Sequence, residues 1–185
     1  SAWEAVPADN ADSVTTTIRL PRVSFDRAGY SVSEGTAPGV VTVTLDATPF
    51  ATATVYYVSA DGTATAGSDY GAVAGALLFP PGVQTATITV PITDDLWVEV
   101  AETVRISLTA ASRAIISETG VTLTITDDDV AAVTVVPVAH GAEPTSDGVF
   151  SISLSAPVAA PLVVSYTVGG SATPGADYAA LPGHV

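Results

Sequence analysis

Cysteine is absent from the 185-residue chain, and with it go disulfides and thiolate metal sites. Lysine is absent too. The five basic residues are Arg19, Arg22, Arg27, Arg105 and Arg113, which leaves neither a basic patch nor an amine for Schiff-base chemistry. Against 19 Asp and Glu they give a formal charge of −14. That balance disfavours nucleic acid and anionic membrane surfaces and makes cations the natural partner. Only His140 and His184 carry imidazole, far apart in sequence, so zinc is a poor fit and both read as surface residues. No apolar run reaches the roughly 18 residues of a membrane span, and no membrane insertion is expected. The start, SAWEAV, has neither Met nor a signal-peptide pattern and reads as a piece of something longer.

Val, Thr, Ala, Gly and Pro dominate what is present. Apolar residues recur with period two in VVTVTLD (40–46), ATVYYVS (53–59), TATITVPIT (85–93), TVRISLT (103–109) and GVTLTIT (120–126). Such alternation predicts half-buried strands, and the intervening APG, DGTATAGSD, PPG and SETG are turn chemistry. No stretch carries a 3.6-residue apolar period. The predicted fold class is all-β, an antiparallel Ig-like sandwich.

An internal repeat sets the organisation. VTVTLDATPFATATVYY (41–57) aligns without a gap on FSISLSAPVAAPLVVSY (150–166), an offset of 109 that also carries Glu34 onto Glu143. After one deletion GTATAGSDY (62–70) falls on GSATPGADY (170–178), an offset of 108. The expected layout is a linker or the tail of a preceding unit over 1–22, a complete domain over 23–130 and about half of another over 131–185. Half a sandwich leaves one face and an edge without partners, which another chain could complete. Trp3 reads as a local packing anchor, and the repeated Tyr56, Tyr57, Tyr70, Tyr166 and Tyr178 as structural residues.

Acidic residues concentrate where strands begin or end. Asp94, Asp95, Glu99 and Glu102 lie in DDLWVEVAE, Asp127, Asp128 and Asp129 follow the last alternating stretch, and Glu34 and Asp69 sit in SVSEGT and AGSDY. In a sandwich such ends gather at the poles. Unit charges about 4 Å apart repel by about 4 kcal/mol per pair at an effective dielectric of 20, so a pole of this kind calls for a cation. Calcium takes 6–8 oxygens from carboxylates, carbonyls and water, whereas magnesium prefers few carboxylates and retained water. A lone DDD could be a solvated turn guarding a sheet edge. The spaced DD–E–E group together with DDD is less expected by chance. A GxSxG elbow and a Ser/His/Asp ordering are both missing, and the crowded acids lack the isolated, raised acid of a glycosidase. The chain reads as non-enzymatic.

In VSFDRAGYSVSEGT (23–36), DGTATAGSDY (61–70), FPPGVQTATITVPITDDLWVEVAETVRISL (79–108) and TLTITDDD (122–129) the chain resembles the Calx-beta domain family, the module of sodium–calcium exchanger regulatory loops, an integrin subunit and many bacterial surface proteins. The resemblance implies Ca2+ as the bound ion. It carries the ligand role to Glu34, Asp69, Asp94, Asp95, Glu99, Glu102, Asp127, Asp128 and Asp129, with a backbone carbonyl near Trp97 as an extra ligand. The most acidic members have acids where Leu96, Val100 and Ala101 stand here, which implies fewer or weaker ions. The function expected is a calcium-stiffened structural or adhesion module of a secreted or surface protein, bacterial in origin, with neighbouring repeats as partners. The alternatives are a calcium sensor and a carbohydrate- or protein-binding module with structural calcium.

Overall fold

The computed structural model describes residues 19–36, 38–144 and 146–185; Trp3 and most of the expected linker over 1–22 lie outside the described residues. The alternating stretches form strands: β1 (Arg22–Phe25), β2 (Tyr30–Ser33), β3 (Gly39–Leu45), β4 (Ala53–Asp61), β5 (Ala74–Phe79), β6 (Thr85–Val90), β7 (Glu102–Ser112), β8 (Ile115–Ile116), β9 (Gly120–Thr126), β10 (Val133–Ala139) and β11 (Val149–Leu154). Among the described residues no helix is long and apolar enough to cross a membrane.

Two sheets face each other. One has the order β6-β3-β1-β8, the other β2-β9-β7-β4-β5. Each presents one side of its alternation inward. Val41, Val43 and Leu45 of β3, Val23 and Phe25 of β1, and Ile88 and Val90 of β6 meet Val55 of β4, Val104, Ile106 and Leu108 of β7, and Leu123 and Ile125 of β9 in one buried cluster. The outward positions of β3, Val40 among them, stay in contact with solvent. Most pairings are antiparallel, with two exceptions: β1 runs parallel to β8, and β2 runs parallel to β9. The first arises because β8, between β7 and β9, crosses to the sheet of β1; the second arises because the first strand stops after Phe25 and resumes at Tyr30 in the opposite sheet. That switch also explains why alternation alone did not mark β1 and β2, which are four residues each.

The C-terminal segment keeps the local pattern without the core. β10 pairs antiparallel with β11, Val133 opposite Leu154, much as Val23 of β1 lies opposite Leu45 of β3. All of β10 is exposed, and in β11 only Ile152 is half-buried. Phe150 and Leu154, which align on the buried Val41 and Leu45, are 68% and 37% exposed. The stretch aligned with β4 forms only an isolated bridge between Ser165 and His184, in the register that joins Tyr56 to Ala76 above. Its acidic loop is copied in detail. The Thr173 amide donates to Asp177 Oδ2 (2.8 Å) as the Thr65 amide donates to Asp69 Oδ2 (2.6 Å), and Gly175 and Gly67 both take a positive φ.

The two leucines therefore answer differently to truncation. Leu45→Ala should cost about 2–5 kcal/mol of stability in urea unfolding, as expected of a buried leucine. Leu154→Ala should change the main transition by less than about 1 kcal/mol.

Candidate metal centre

Sheet register delivers the acids to one pole. Because β2 and β9 are parallel, with Ser33 beside Thr126, both chains leave the sheet together, placing Glu34 next to Asp127, Asp128 and Asp129. The ladder continues one step further through the Glu34 amide, which donates to the Thr126 carbonyl (3.1 Å). β7 enters antiparallel to β9 at the same end, with its first residue, Glu102, opposite Ile125. β4 leaves there through Asp61, opposite Val104 of β7, and the following turn brings Asp69 back.

Each loop is pinned by its own hydrogen bonds. Asp61 accepts from the Ala66 amide (3.0 Å) and from the hydroxyl of buried Tyr70 (2.7 Å), so it anchors the turn that presents Asp69. Asp61 was not among the acids singled out from sequence; its place in a strand-ending Asp-Gly pair was the available signal. The Thr93 amide donates to the Asp69 carbonyl (3.0 Å), tying that turn to the start of the Asp94 loop. Further along, the Val98 amide donates to the Pro157 carbonyl (3.0 Å) and the Ala159 amide to the Val98 carbonyl (3.1 Å). The acidic loop thus rests on the C-terminal segment.

Among the described residues three groups of carboxylate oxygens result: Glu34 with Asp127 and Asp129, Glu34 with Asp94 and Asp128, and Asp69 with Glu99 and Glu102. Within each group the oxygens lie within 4.8 Å of one another. Two oxygens sharing one calcium, each at about 2.4 Å, can be no further apart than that sum, so the spacing suits Ca2+. Eight of the nine acids singled out from sequence enter these groups. Asp95 does not: its Oδ1 accepts from the Trp97 amide (2.7 Å), turning the carboxylate back onto its own loop. Trp97, whose neighbourhood is expected to offer a backbone carbonyl rather than a side chain, stands half-exposed in the same loop.

Electrostatics agree with the geometry. Glu34 is buried, and its Oε1, like Asp129 Oδ2, has no hydrogen-bond partner among the described residues. An orphaned buried carboxylate oxygen is costly unless a donor or a cation meets it. Burial, reinforced by Asp127, pushes the Glu34 carboxyl up to about 7. Burial and Asp69 push Glu102 up to about 7. Glu99 and Asp129 move upward as well, first from burial and then from their acidic neighbours. The residues present fit a hard divalent cation: all-oxygen donors, a shared carboxylate and two buried oxygens without a donor among the described residues.

The chain is similar to known proteins in sequence family and in fold. The Calx-beta domain profile matches residues 19–134 and again 127–185. The apo form of the Calx CBD1 domain aligns at 32% identity and a TM-score of 0.57, over 60% of this chain and 100% of that one. CBD12 from CALX1.2 aligns at 32% identity, with a TM-score of 0.56, over 61% of this chain and 49% of its own. The calcium binding domain CBD12 of CALX1.1 aligns at 33% identity, with a TM-score of 0.55, over 58% and 45%. The chain thus spans about half the length of the two CBD12 structures it matches. No curated protein sequence matches it.

The raised carboxyls have a pH consequence. The folded state holds protons on Glu34 and Glu102 up to about pH 7, while the unfolded chain releases them near 4.5. Between those limits the native state binds more protons, so metal-free stability falls as pH rises. Thermal unfolding in chelator should give a higher Tm at about pH 5.5 than at about pH 8. A flat or reversed profile would remove the electrostatic account.

Proposed function

The chain belongs to the Calx-beta domain family, and from that premise we propose that it is a non-enzymatic, calcium-binding β-sandwich module that stiffens a larger secreted or surface protein. The observation that carries the reading is Glu34: a buried carboxylate with an unpartnered oxygen, shared between two of the three acidic groups. The proposed ligands are Glu34, Asp69, Asp94, Glu99, Glu102, Asp127, Asp128 and Asp129 through their carboxylates. Asp95 and the Trp97 carbonyl would complete the set. Calcium, when bound, supplies positive charge alone; the chain holds it and orders the loops around it.

Residues 23–130 form the complete module in this reading, and 131–185 the first half of a second, in line with the two segments of the family match. Stiffening follows from position. Only Val130, Ala131 and Ala132 separate Asp129 from β10, and Val98 pairs with Pro157 and Ala159 across the joint. So short a connection transmits order that a long flexible linker would dissipate. The same contact supports a second reading, a calcium sensor, because a loop that rearranges on binding would move the segment resting on it. Affinity separates the two: micromolar binding favours the sensor, millimolar the spacer.

Calcium at about 100 times its dissociation constant should stabilise the fold by about 2.7 kcal/mol per site, read as a rise in Tm that magnesium does not reproduce. Glu34→Gln should raise the Tm in chelator at about pH 8, since it removes a buried like charge, while shrinking the calcium-dependent rise. A wild-type Tm indifferent to calcium would leave the acids as solvated loops.

A further inference from the structure

One residue outside the ligand set bears on how many ions the pole can hold. We infer that Gly35 is a positioning residue: the open space at its missing Cβ is what admits Asp128 to the Glu34–Asp94–Asp128 group, and so decides whether that group takes an ion. The inference rests on the calcium reading above.

Gly35 follows Glu34 in the turn that ends β2, and its amide donates to Asp128 Oδ1 (3.0 Å). A Cβ built there would lie 2.4 Å from Asp128 Oδ2 and 3.1 Å from both its Cγ and its Oδ1. Carbon and oxygen that are not bonded do not approach so closely, so one of them must move. All three atoms belong to one exposed side chain, which can swing aside without disturbing the backbone. Gly35 is not among the glycines with positive φ, so alanine meets no backbone strain. The three nearest atoms that alanine would meet all belong to one proposed ligand, and the hydrogen bond lost when it swings aside is that ligand's own.

Gly62 is the contrasting case. A Cβ there would lie 2.4 Å from the backbone oxygen of Thr103, in β7, so the sheet itself would have to shift. Asp128, moreover, enters one of the three groups only; Glu34 with Asp127 and Asp129, and Asp69 with Glu99 and Glu102, do without it. A Cβ at Gly35 therefore acts on one ion position and spares the rest.

The experiment compares wild type, Gly35→Ala, Asp128→Asn and Gly62→Ala in the full chain. Bound calcium is counted by equilibrium dialysis at saturation, and Tm is measured in chelator. Gly35→Ala should keep or slightly exceed the wild-type Tm in chelator, because alanine restricts the unfolded chain. It should bind one calcium fewer than wild type at saturation, as Asp128→Asn does, whereas Gly62→Ala loses Tm even in chelator. A Gly35→Ala protein that binds the wild-type number of ions with unchanged affinity overturns the inference while leaving the calcium reading intact. So does one whose Tm in chelator collapses as that of Gly62→Ala does, since Gly35 would then be structural. Wild type that binds no calcium removes the calcium reading and this inference together.

Discussion

The parallel pairing of β2 with β9 is the constraint on which the rest of this structure depends. Antiparallel neighbours send consecutive chain ends to opposite poles, but a parallel pair sends both to the same one. Here it places the residue after Ser33 and the residues after Thr126 side by side, and the antiparallel β7 then adds Glu102 at that end. The pairing exists because the first strand leaves one sheet after Phe25 and joins the other at Tyr30. A strand that stayed in its first sheet would separate Glu34 from Asp127, Asp128 and Asp129 by the thickness of the core.

Two opposed free energies then meet in one molecule. The inner faces bury Val41, Val43, Ile88, Val104, Ile106 and Leu123 almost completely, and that burial holds the sandwich together. The pole spends part of the gain, because Glu34, Glu99, Glu102 and Asp129 are all harder to ionise in place than in water. Protons or a divalent cation relieve the strain. Protons satisfy one oxygen at a time, whereas calcium can satisfy six to eight at once and draw separate loops onto one centre. Raised carboxyls therefore tie the pole's charge state to pH.

The C-terminal segment isolates what alternation can and cannot do. Its β10 and β11 pair as β1 and β3 do, and its Thr173–Asp177 turn reproduces the amide-to-carboxylate bond of the Thr65–Asp69 turn. Local structure needs only neighbours in sequence and one partner strand. Burial needs a second sheet, and without one the positions aligned with Val41 and Leu45 stay in solvent. What the segment does contact is the acidic loop at Val98, so its placement bears on the site rather than on a core of its own.

Much of this was legible in the chain itself. Period-two alternation and turn residues determine strand and loop locally, so the bounds of β3, β4, β6, β7 and β9 lie within a few residues of the stretches that alternate. The acids stood out because turns collect polar residues while the intervening strands exclude them. Which carboxylates share an ion is a different matter. Glu34 and Asp127 are more than ninety residues apart, and only sheet register makes them neighbours, gives Glu34 a place in two groups, turns Asp95 toward its own loop and sets Gly35 against Asp128. Sequence determines the strands because their periodicity is a property of adjacent residues; tertiary structure decides the site because the distances between oxygens depend on strands that adjacency cannot see.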